Sequence, residues 1–437
     1  IKCFNLKINQ RHETFIGEIG GVLGFIVAME NVCYLFVKIL CSQCTKGQTN
    51  RKAEIRRSTM AQGLLNGTVV LDLTRVLAGP YCGMLLADMG ATVIKVEMIG
   101  KGDDSRAYGP FAGGESCYYM GLNRGKKGCT LNLKTEEGRA IFLKMVKKAD
   151  ILIENYRPGT MEKLHLGYDE LKKVNPGLIY GAVSGFGHTG PYSKRAGYDI
   201  IGQAAGGLMS TTGWEGGSPT RTGTPMGDVL GGLNLTIGIL AALNHKNKTG
   251  EGEKVDVALV DAVVSAMQNI NMIYLNEGRI PTRIGNRYES TYPYDSFRTS
   301  DGDVIIGAGN DKLYATLCEE MGMSELKNDP RFLTVSDRVK NHTALKEIIE
   351  TWTSKSTIDE IADRLNKVGV PSTPINTIDR IVKDPCHSAT RNRWSTDYQQ
   401  CAEIYQLPGR SGGTCSYLRT GQRHDFQYVC RPQFQRN

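Results

Sequence analysis

The stretch from Thr68 to Glu97 limits what this chain can fold into more than any other. Residues 68–73 form a continuous apolar run of strand length. Pro80 opens a helical pattern that reaches Met89, Gly90 stops it, and residues 92–96 form a second apolar run with Glu97 at its tip. Pro suits the first turn of a helix and Gly its end. A strand, a helix and a second buried strand in this order make a parallel βαβ unit. The pattern then repeats. Residues 130–133 read as a strand, Thr135 caps a helix to Lys148, and residues 151–154 read as a strand. Short helices at 161–164 and 168–174 lead to a strand at 178–184. The fold expected is α/β, with an open, Rossmann-like sheet in a large domain and a smaller α/β domain after it.

Residues 185–232 are rich in glycine and small polar residues, and so long a loop-like stretch in a compact body usually carries function. An apolar helix at 229–243 follows, then a strand at 255–259 and a helix at 260–274. The chain reaches another strand at 304–307 through Gly285-Asn286-Arg287 and Tyr292-Pro293-Tyr294. Helices are expected at 312–321 and 342–353, and a third after Thr357, whose Thr-x-x-Glu360 is a capping box. This divides the body into 60–255 (large domain, first part), 256–335 (small domain) and 336–385 (return to the large domain).

Charge separates the body from its flanks. The formal net charge is +8. Residues 1–59 hold nine Lys/Arg against four Asp/Glu, and residues 386–437 hold seven Arg against three acids, which accounts for the whole excess. The body is balanced, with no basic stripe of the kind that binds nucleic acid. Eight of the twelve cysteines lie in the flanks. Cys82, Cys117, Cys129 and Cys318 remain, as in a reduced, cytoplasmic protein. Cys41-x-x-Cys44 has no second CxxC or His pair beside it. Residues 19–37 are apolar but interrupted by Glu30 and Asn31, and no membrane span is expected. Met60 opens the patterned sequence two residues after Arg56-Arg57-Ser58. Arginines encoded AGG-AGG there would be a translated bacterial ribosome-binding site, so residues 1–59 are expected to be a non-native upstream extension. After Pro385 lysine disappears and apolar periodicity is lost, so 386–437 is expected to be an aberrant tail.

The chemistry-bearing residues narrow the function. His165, His188, His245 and His342 of the body do not pair at ligand spacing, so no metal site is expected. No Gly-x-Ser-x-Gly elbow occurs. Glu97 stands where a ribose-binding acid would, but the turn Thr74-Arg75-Val76-Leu77-Ala78-Gly79-Pro80 lacks G-x-G-x-x-G. The bland reading of Glu97 is an exposed strand end beside Lys95. In Thr224-Pro225-Met226-Gly227-Asp228-Val229-Leu230-Gly231-Gly232 one carboxylate, Asp228, stands at the mouth of the apolar helix, at its N-cap or in its first turn. An Asp there caps orphan N–H groups and is stabilised by the dipole. Cap and catalytic carboxylate both remain open on this pattern.

Several motifs in order resemble family III CoA-transferases. They are Leu71-Asp72-Leu73-Thr74-Arg75-Val76-Leu77-Ala78-Gly79-Pro80, Leu86 to Glu97, Gly102-Asp103-Asp104-x-Arg106, Glu154-Asn155-Tyr156-Arg157-Pro158-Gly159, Ser184-Gly185-Phe186-Gly187, Gly197-Tyr198-Asp199, Gly227-Asp228 and Lys248-Thr249-Gly250-x-Gly252. The resemblance runs from about Leu65 to Pro385. It implies transfer of CoA from an acyl-CoA donor to a carboxylate acceptor, with the Asp of Gly-Asp, here Asp228, as nucleophile through a mixed anhydride and an aspartyl-CoA thioester. By the same motifs the implied CoA contacts are Leu77, Ala78, Leu131, Asn132, Leu133, Lys134, Asn155, Tyr156, Arg157, Lys163, Ala196, Gly197, Tyr198 and Asp199. Lys134, Arg157 and Lys163 are the implied phosphate partners. No permanently bound cofactor is implied, only the coenzyme A thioester as substrate. The resemblance also implies ring-shaped subunits interlocked as a homodimer.

Three departures matter. Glu97-Met98 stands where formyl-CoA transferases carry an arginine for CoA, which leaves Lys95 or Lys101 for that phosphate. The α-methylacyl-CoA racemase branch, the main alternative, needs a His where this chain has Tyr198, whose ordinary pKa near 10 suits a base poorly. The stretch 285–293 lacks the glycine run of formyl-CoA:oxalate transferases, which argues against an oxalate/formate pair. Arg287 within it is either a surface residue or a partner for a second substrate carboxylate.

Overall fold

Strand β4 (Ile151–Glu154) is buried at all its residues, as a strand covered by helices on both faces must be. It belongs to a six-stranded parallel sheet in a computed structural model that describes residues 63–384. The other strands are β1 (Val69–Asp72), β2 (Thr92–Glu97), β3 (Lys127–Thr130), β5 (Ile179–Ser184) and β6 (Lys254–Ala258). Their spatial order is β3-β2-β1-β4-β5-β6, which is that of the doubly wound Rossmann sheet. Order reverses between β1 and β4, so a crevice opens beyond their carboxyl ends. Alternating side chains divide the core. Leu71, Leu152 and Tyr180 face a layer containing Phe142, Val146 and Leu171. Val70, Ile151, Ile153 and Ile179 face a layer containing Cys82, Leu86, Leu235 and Ile239.

Six helices matter for the site: α1 (Ala78–Asp88), α2 (Cys117–Asn123), α3 (Glu136–Val146), α4 (Asp199–Ala205), α5 (Met226–Thr249) and α6 (Leu259–Ala266). Thr135 caps α3, its side chain accepting from Gly138 N at 3.1 Å. By length and composition α5 could cross a membrane. Here Leu235 and Ile239 are fully buried in the sheet's core. The glycines of α5 permit the approach: a Cβ on Gly232 would sit 2.5 Å from the Ala78 carbonyl oxygen.

Several expected boundaries change. Pro80 is the third residue of α1, not its first, and its missing N–H is still one of the four without an intrahelical partner. β3 ends at Thr130, where the expected strand began. Residues 185–232 are not a long loop: they contain α4, a turn of helix at Leu208–Thr211 and the start of α5. The helix expected at 260–274 is two, α6 and Gln268–Glu277, broken at Met267.

The second body is built on an antiparallel sheet, β7 (Tyr294–Arg298), β8 (Asp303–Gly307) and β9 (Ser372–Pro374), in the order β9-β8-β7. Its core joins Phe297 and Ile306 to Leu317, Leu345, Trp352 and Leu365. The expected return to the large domain at 336 is therefore corrected. Helices His342–Thr353 and Ile358–Lys367 bury Leu345, Ile349, Trp352, Ile361 and Leu365 in this second core, and strand β9 pairs with β8. The Thr357 capping box forms, with Thr357 N donating to Glu360 Oε2 at 2.9 Å. The expectations for 1–59 and 386–437 lie outside the described residues.

Candidate active site

The turn after β1 is the first wall of the site. Asp72, fully buried, accepts from Thr74 N at 2.9 Å and from the Thr74 hydroxyl at 2.5 Å. Asn155 clamps the next residue twice: its Oδ1 accepts from Arg75 N at 2.8 Å and its Nδ2 donates to Arg75 O at 2.7 Å. Val76 then adopts φ +67°, a left-handed conformation that costs a β-branched residue about 1–3 kcal/mol. Asp103 holds it there by accepting from Val76 N at 3.1 Å. Lys95 in turn holds Asp103 at 2.8 Å and donates to Thr74 O at 2.5 Å.

That network settles two expectations. Lys95 is 1% exposed and paired with Asp103, so it is scaffold and not a phosphate partner. Glu97 is not an exposed strand end. It is buried and takes both Nε (3.1 Å) and Nη2 (2.6 Å) of Arg106, and it accepts from Asp103 N at 3.0 Å. Lys101 is exposed and paired with Asp104 at 2.7 Å.

Beyond the ends of β1, β2 and β3 lies a cavity of ≈ 310 Å³, whose lining includes Thr74, Arg75, Met98, Leu131, Asn132, Leu133, Lys134, Tyr156 and Thr160. The structure thus gathers five of the sequence-expected contacts in one place. Asn155 acts from behind the wall, through Arg75. Arg157 and Lys163 are exposed nearby, the latter in the short helix Thr160–Lys163. Arg75 was missed, although it stands inside the motif that gave Leu77 and Ala78. Its guanidinium lies 5.2 Å from the centre of the Tyr156 ring and 3.2 Å from Asp104. Leu77 and Ala78 are buried at the start of α1, and α5 packs against Ala78 through Gly232.

The second locus is the start of α5. Pro225 is the N-cap and Asp228 the third helical residue, so Asp228 lies in the first turn and does not cap. The cap bond comes from Asp199, at the head of α4: its Oδ1 accepts from Gly227 N at 2.8 Å and Asp228 N at 3.3 Å, and its Oδ2 from Gln203 at 2.8 Å. Gly227 is needed here for Asp199: a Cβ would come within 3.0 Å of the Asp199 carbonyl oxygen. Ala196, Gly197 and Tyr198 lead into α4. Gly197 lies against Gly185, so close that a Cβ on Gly185 would stand 2.5 Å from the Gly197 Cα. Two motifs distant in sequence are one packing contact. Tyr198 is 74% exposed.

Burial pushes the half-buried Asp228 carboxyl up, and the Asp199 carboxylate pushes it further, to about 7. The sequence expectation that the helix terminus keeps it readily ionised is corrected: desolvation and a like charge dominate. Tyr118 on α2 faces this locus. Its hydroxyl is raised by burial and then by Asp228. No sequence signal in the preceding hairpin marked it. Arg287 is half-buried and helps line a separate cavity of ≈ 190 Å³ with Thr211, Asn269 and Tyr288.

The comparisons with known proteins agree. The family model described as CoA-transferase family III matches residues 65–411. An acetyl-CoA:oxalate CoA-transferase of Acetobacter aceti is 44% identical over 332 residues, 76% of this chain and 85% of that one. A succinate–glutarate CoA-transferase of Agrobacterium fabrum is 41% identical over 74% of this chain and 82% of its own. A crystal structure of a CAIB/BAIF family protein from Brucella suis superposes with a TM-score of 0.68 at 41% identity, covering 75% of this chain and 88% of that one. Sheet order, motif geometry and similarity converge: this chain is an enzyme of CoA-transferase family III.

Proposed function

We propose that the enzyme moves CoA between short organic acids by covalent catalysis on Asp228. The observation that carries the reading is that carboxylate, in the first turn of α5, with a pKa raised to about 7 by burial and by Asp199. A carboxylate of that basicity is a better nucleophile than an ordinary one and is still ionised just above neutrality. One Asp228 oxygen attacks the donor thioester carbonyl, the C–S bond breaks, and CoA leaves as thiolate from a mixed anhydride. The thiolate attacks the Asp228 carboxyl carbon and releases the donor acid, leaving an aspartyl-CoA thioester. The acceptor carboxylate attacks that thioester, giving a second anhydride. The returning thiolate takes the acceptor acyl group and frees Asp228. No net proton is consumed.

CoA in this reading spans both loci. The adenosine and phosphates occupy the ≈ 310 Å³ cavity beside Arg75, Lys134, Arg157 and Lys163. Pantetheine passes the start of α1 and brings the thioester to Asp228. The acceptor is a dicarboxylic acid whose far carboxylate pairs with Arg287. Support comes from the names of the relatives, an acetyl-CoA:oxalate and a succinate–glutarate CoA-transferase, which name dicarboxylic acids. At position 198, where the racemase reaction needs a His, this chain has Tyr. The functional unit is an interlocked homodimer in the cytoplasm. Met272, Tyr274, Leu275 and Ile280, all exposed and apolar, are surface for a second copy.

The test is trapping. After incubation with a panel of acyl-CoAs, hydroxylamine should convert Asp228 to its hydroxamate, read by peptide mass spectrometry. An unmodified Asp228 with every donor ends the mechanism.

A further inference from the structure

The turn that carries Asn155, Tyr156 and Arg157 is fixed from beneath by a buried cluster outside the site. Glu154 closes β4 and is 1% exposed. Its Oε2 accepts from Tyr156 N at 2.7 Å, and its Oε1 accepts from the Tyr180 hydroxyl at 3.2 Å. The buried His188 Nε2 lies 3.5 Å from the same Oε1 and has no hydrogen-bond partner among the described residues. On the far side of the ring, Lys254 Nζ stands 3.2 Å from Nδ1. Asp256 holds the His188 backbone, its Oδ2 accepting from His188 N at 2.8 Å. Glu162, on the short helix after the turn, is the remaining charge that acts on this group.

Donor and acceptor rules settle the ring. An ammonium has donors only, so Lys254 can only donate to Nδ1. The ring proton is then on Nε2, facing Glu154 Oε1. A second proton on His188 is opposed by burial and by Lys254, in keeping with its lowered pKa. The imidazole therefore stays a neutral donor toward Glu154.

We propose that Lys254, His188 and Glu154 form a positioning relay for acyl-CoA: Lys254 sets the His188 tautomer, His188 supports the charge on Glu154, and charged Glu154 holds the 155–157 turn in its binding geometry. This rests on the CoA reading of the ≈ 310 Å³ cavity, which Tyr156 lines. Charged acceptors make shorter and stronger hydrogen bonds than neutral ones. The ionised form should thus fix Tyr156 N, and with it Arg75 through Asn155, more firmly than the neutral acid. Burial pushes Glu154 up to about 7. The relay therefore works above neutrality and slackens below it.

The experiment is calorimetric titration of the whole protein with free coenzyme A between pH 6 and pH 8.5, which needs no turnover. In wild type the Kd should rise about 10-fold from pH 8 to pH 6 relative to Glu154→Gln, which accepts from Tyr156 N but cannot ionise. Comparing the two proteins cancels the titration of the ligand's own phosphate and of Asp228. His188→Ala removes the Nε2 donor and should move the midpoint to higher pH. Lys254→Met, at a half-buried position, frees the proton to move to Nδ1 and should shift the midpoint the same way. It keeps the test available if Glu154→Gln does not fold. Parallel profiles in wild type and Glu154→Gln, or midpoints unmoved in both other variants, overturn the relay and leave the CoA site standing. No binding by any protein at any pH overturns the site, and the relay with it.

Discussion

Two sets of buried acids stand at the carboxyl end of the same sheet, and they are treated in opposite ways. Around the β1–α1 turn each buried acid has its own cation. Asp72 meets Lys126 at 2.8 Å, Asp103 meets Lys95 at 2.8 Å, and Glu97 meets Arg106 at 2.6 Å. Burial works against the charge on Asp72, but Lys126 and Lys95 outweigh it and hold the carboxyl below its usual range. At the start of α5 and the end of β4 the acids have no such partner within hydrogen-bond distance among the described residues. Asp228 faces Asp199, Glu154 faces a neutral imidazole, and both rise to about 7. The residue types are the same. Compensated carboxylates make a rigid frame that can hold Val76 in a strained conformation, while uncompensated ones stay basic enough to react or to titrate near neutrality.

The sharpest break of that comparison is to neutralise one acid of each set. Asp228→Asn should cut turnover by at least ~10⁴-fold, since it removes the proposed nucleophile. It should also stabilise the fold at pH 8. The folded pKa lies above the ordinary 3.8, so between the two values the unfolded chain has already lost the proton that the native state keeps, and stability falls as pH rises until about 7. Asparagine escapes this cost, roughly 1–3 kcal/mol, and the gain should vanish below pH 4 in a denaturant series. Lys95→Met should do the reverse. It strands the charge of Asp103, which is 1% exposed, and should destabilise by roughly 3–5 kcal/mol. Equal stability changes of the same sign in both variants would erase the distinction between the two sets.

Arg287 is the complementary case, a half-buried cation with no carboxylate within ion-pair distance among the described residues. Arg287→Ala should raise KM for a dicarboxylic acceptor about 10-fold and leave KM for a monocarboxylate of the same length unchanged. A uniform rise for both acids would return Arg287 to the surface residues.

What the sequence discloses follows the same division. Strands and caps depend on neighbours in sequence, so 151–154, 168–174, Thr135 and the Thr357 box are read directly. Asp228 is found because its turn is local. Its raised pKa is not, because the causes are burial in the folded chain and Asp199, twenty-nine residues earlier and brought near only when α4 packs on α5. Leu131 and Leu133 alternate like a strand, yet they line the cavity just past β3. Apolar alternation registers burial and cannot say whether a sheet or a ligand does the burying. Lys95 reads in sequence as a phosphate partner because its real partner, Asp103, lies across a turn. The second body is misdivided because nothing in residues 342–374 records which core receives their apolar faces.

The smallest expected effect tests the cause of the raised pKa itself. Asp199→Asn keeps an oxygen that can accept from Gly227 N and Asp228 N, so the cap on α5 survives. It removes the like charge beside Asp228 and leaves burial, the larger cause, in place. The acid limb of kcat/KM reports ionisation of the proposed nucleophile in the free enzyme. In wild type, activity should fall as pH drops through about 7. In Asp199→Asn the limb should move to lower pH by about one unit, with the plateau at pH 8.5 lowered by less than about 10-fold. A limb that stays where it was would mean that burial alone sets the pKa, and Asp199 would then be a helix cap and nothing more. A limb that moves while melting temperature holds would separate its charge from its cap, and would identify proximity of two acids as a cause, beside burial, of the raised pKa of Asp228.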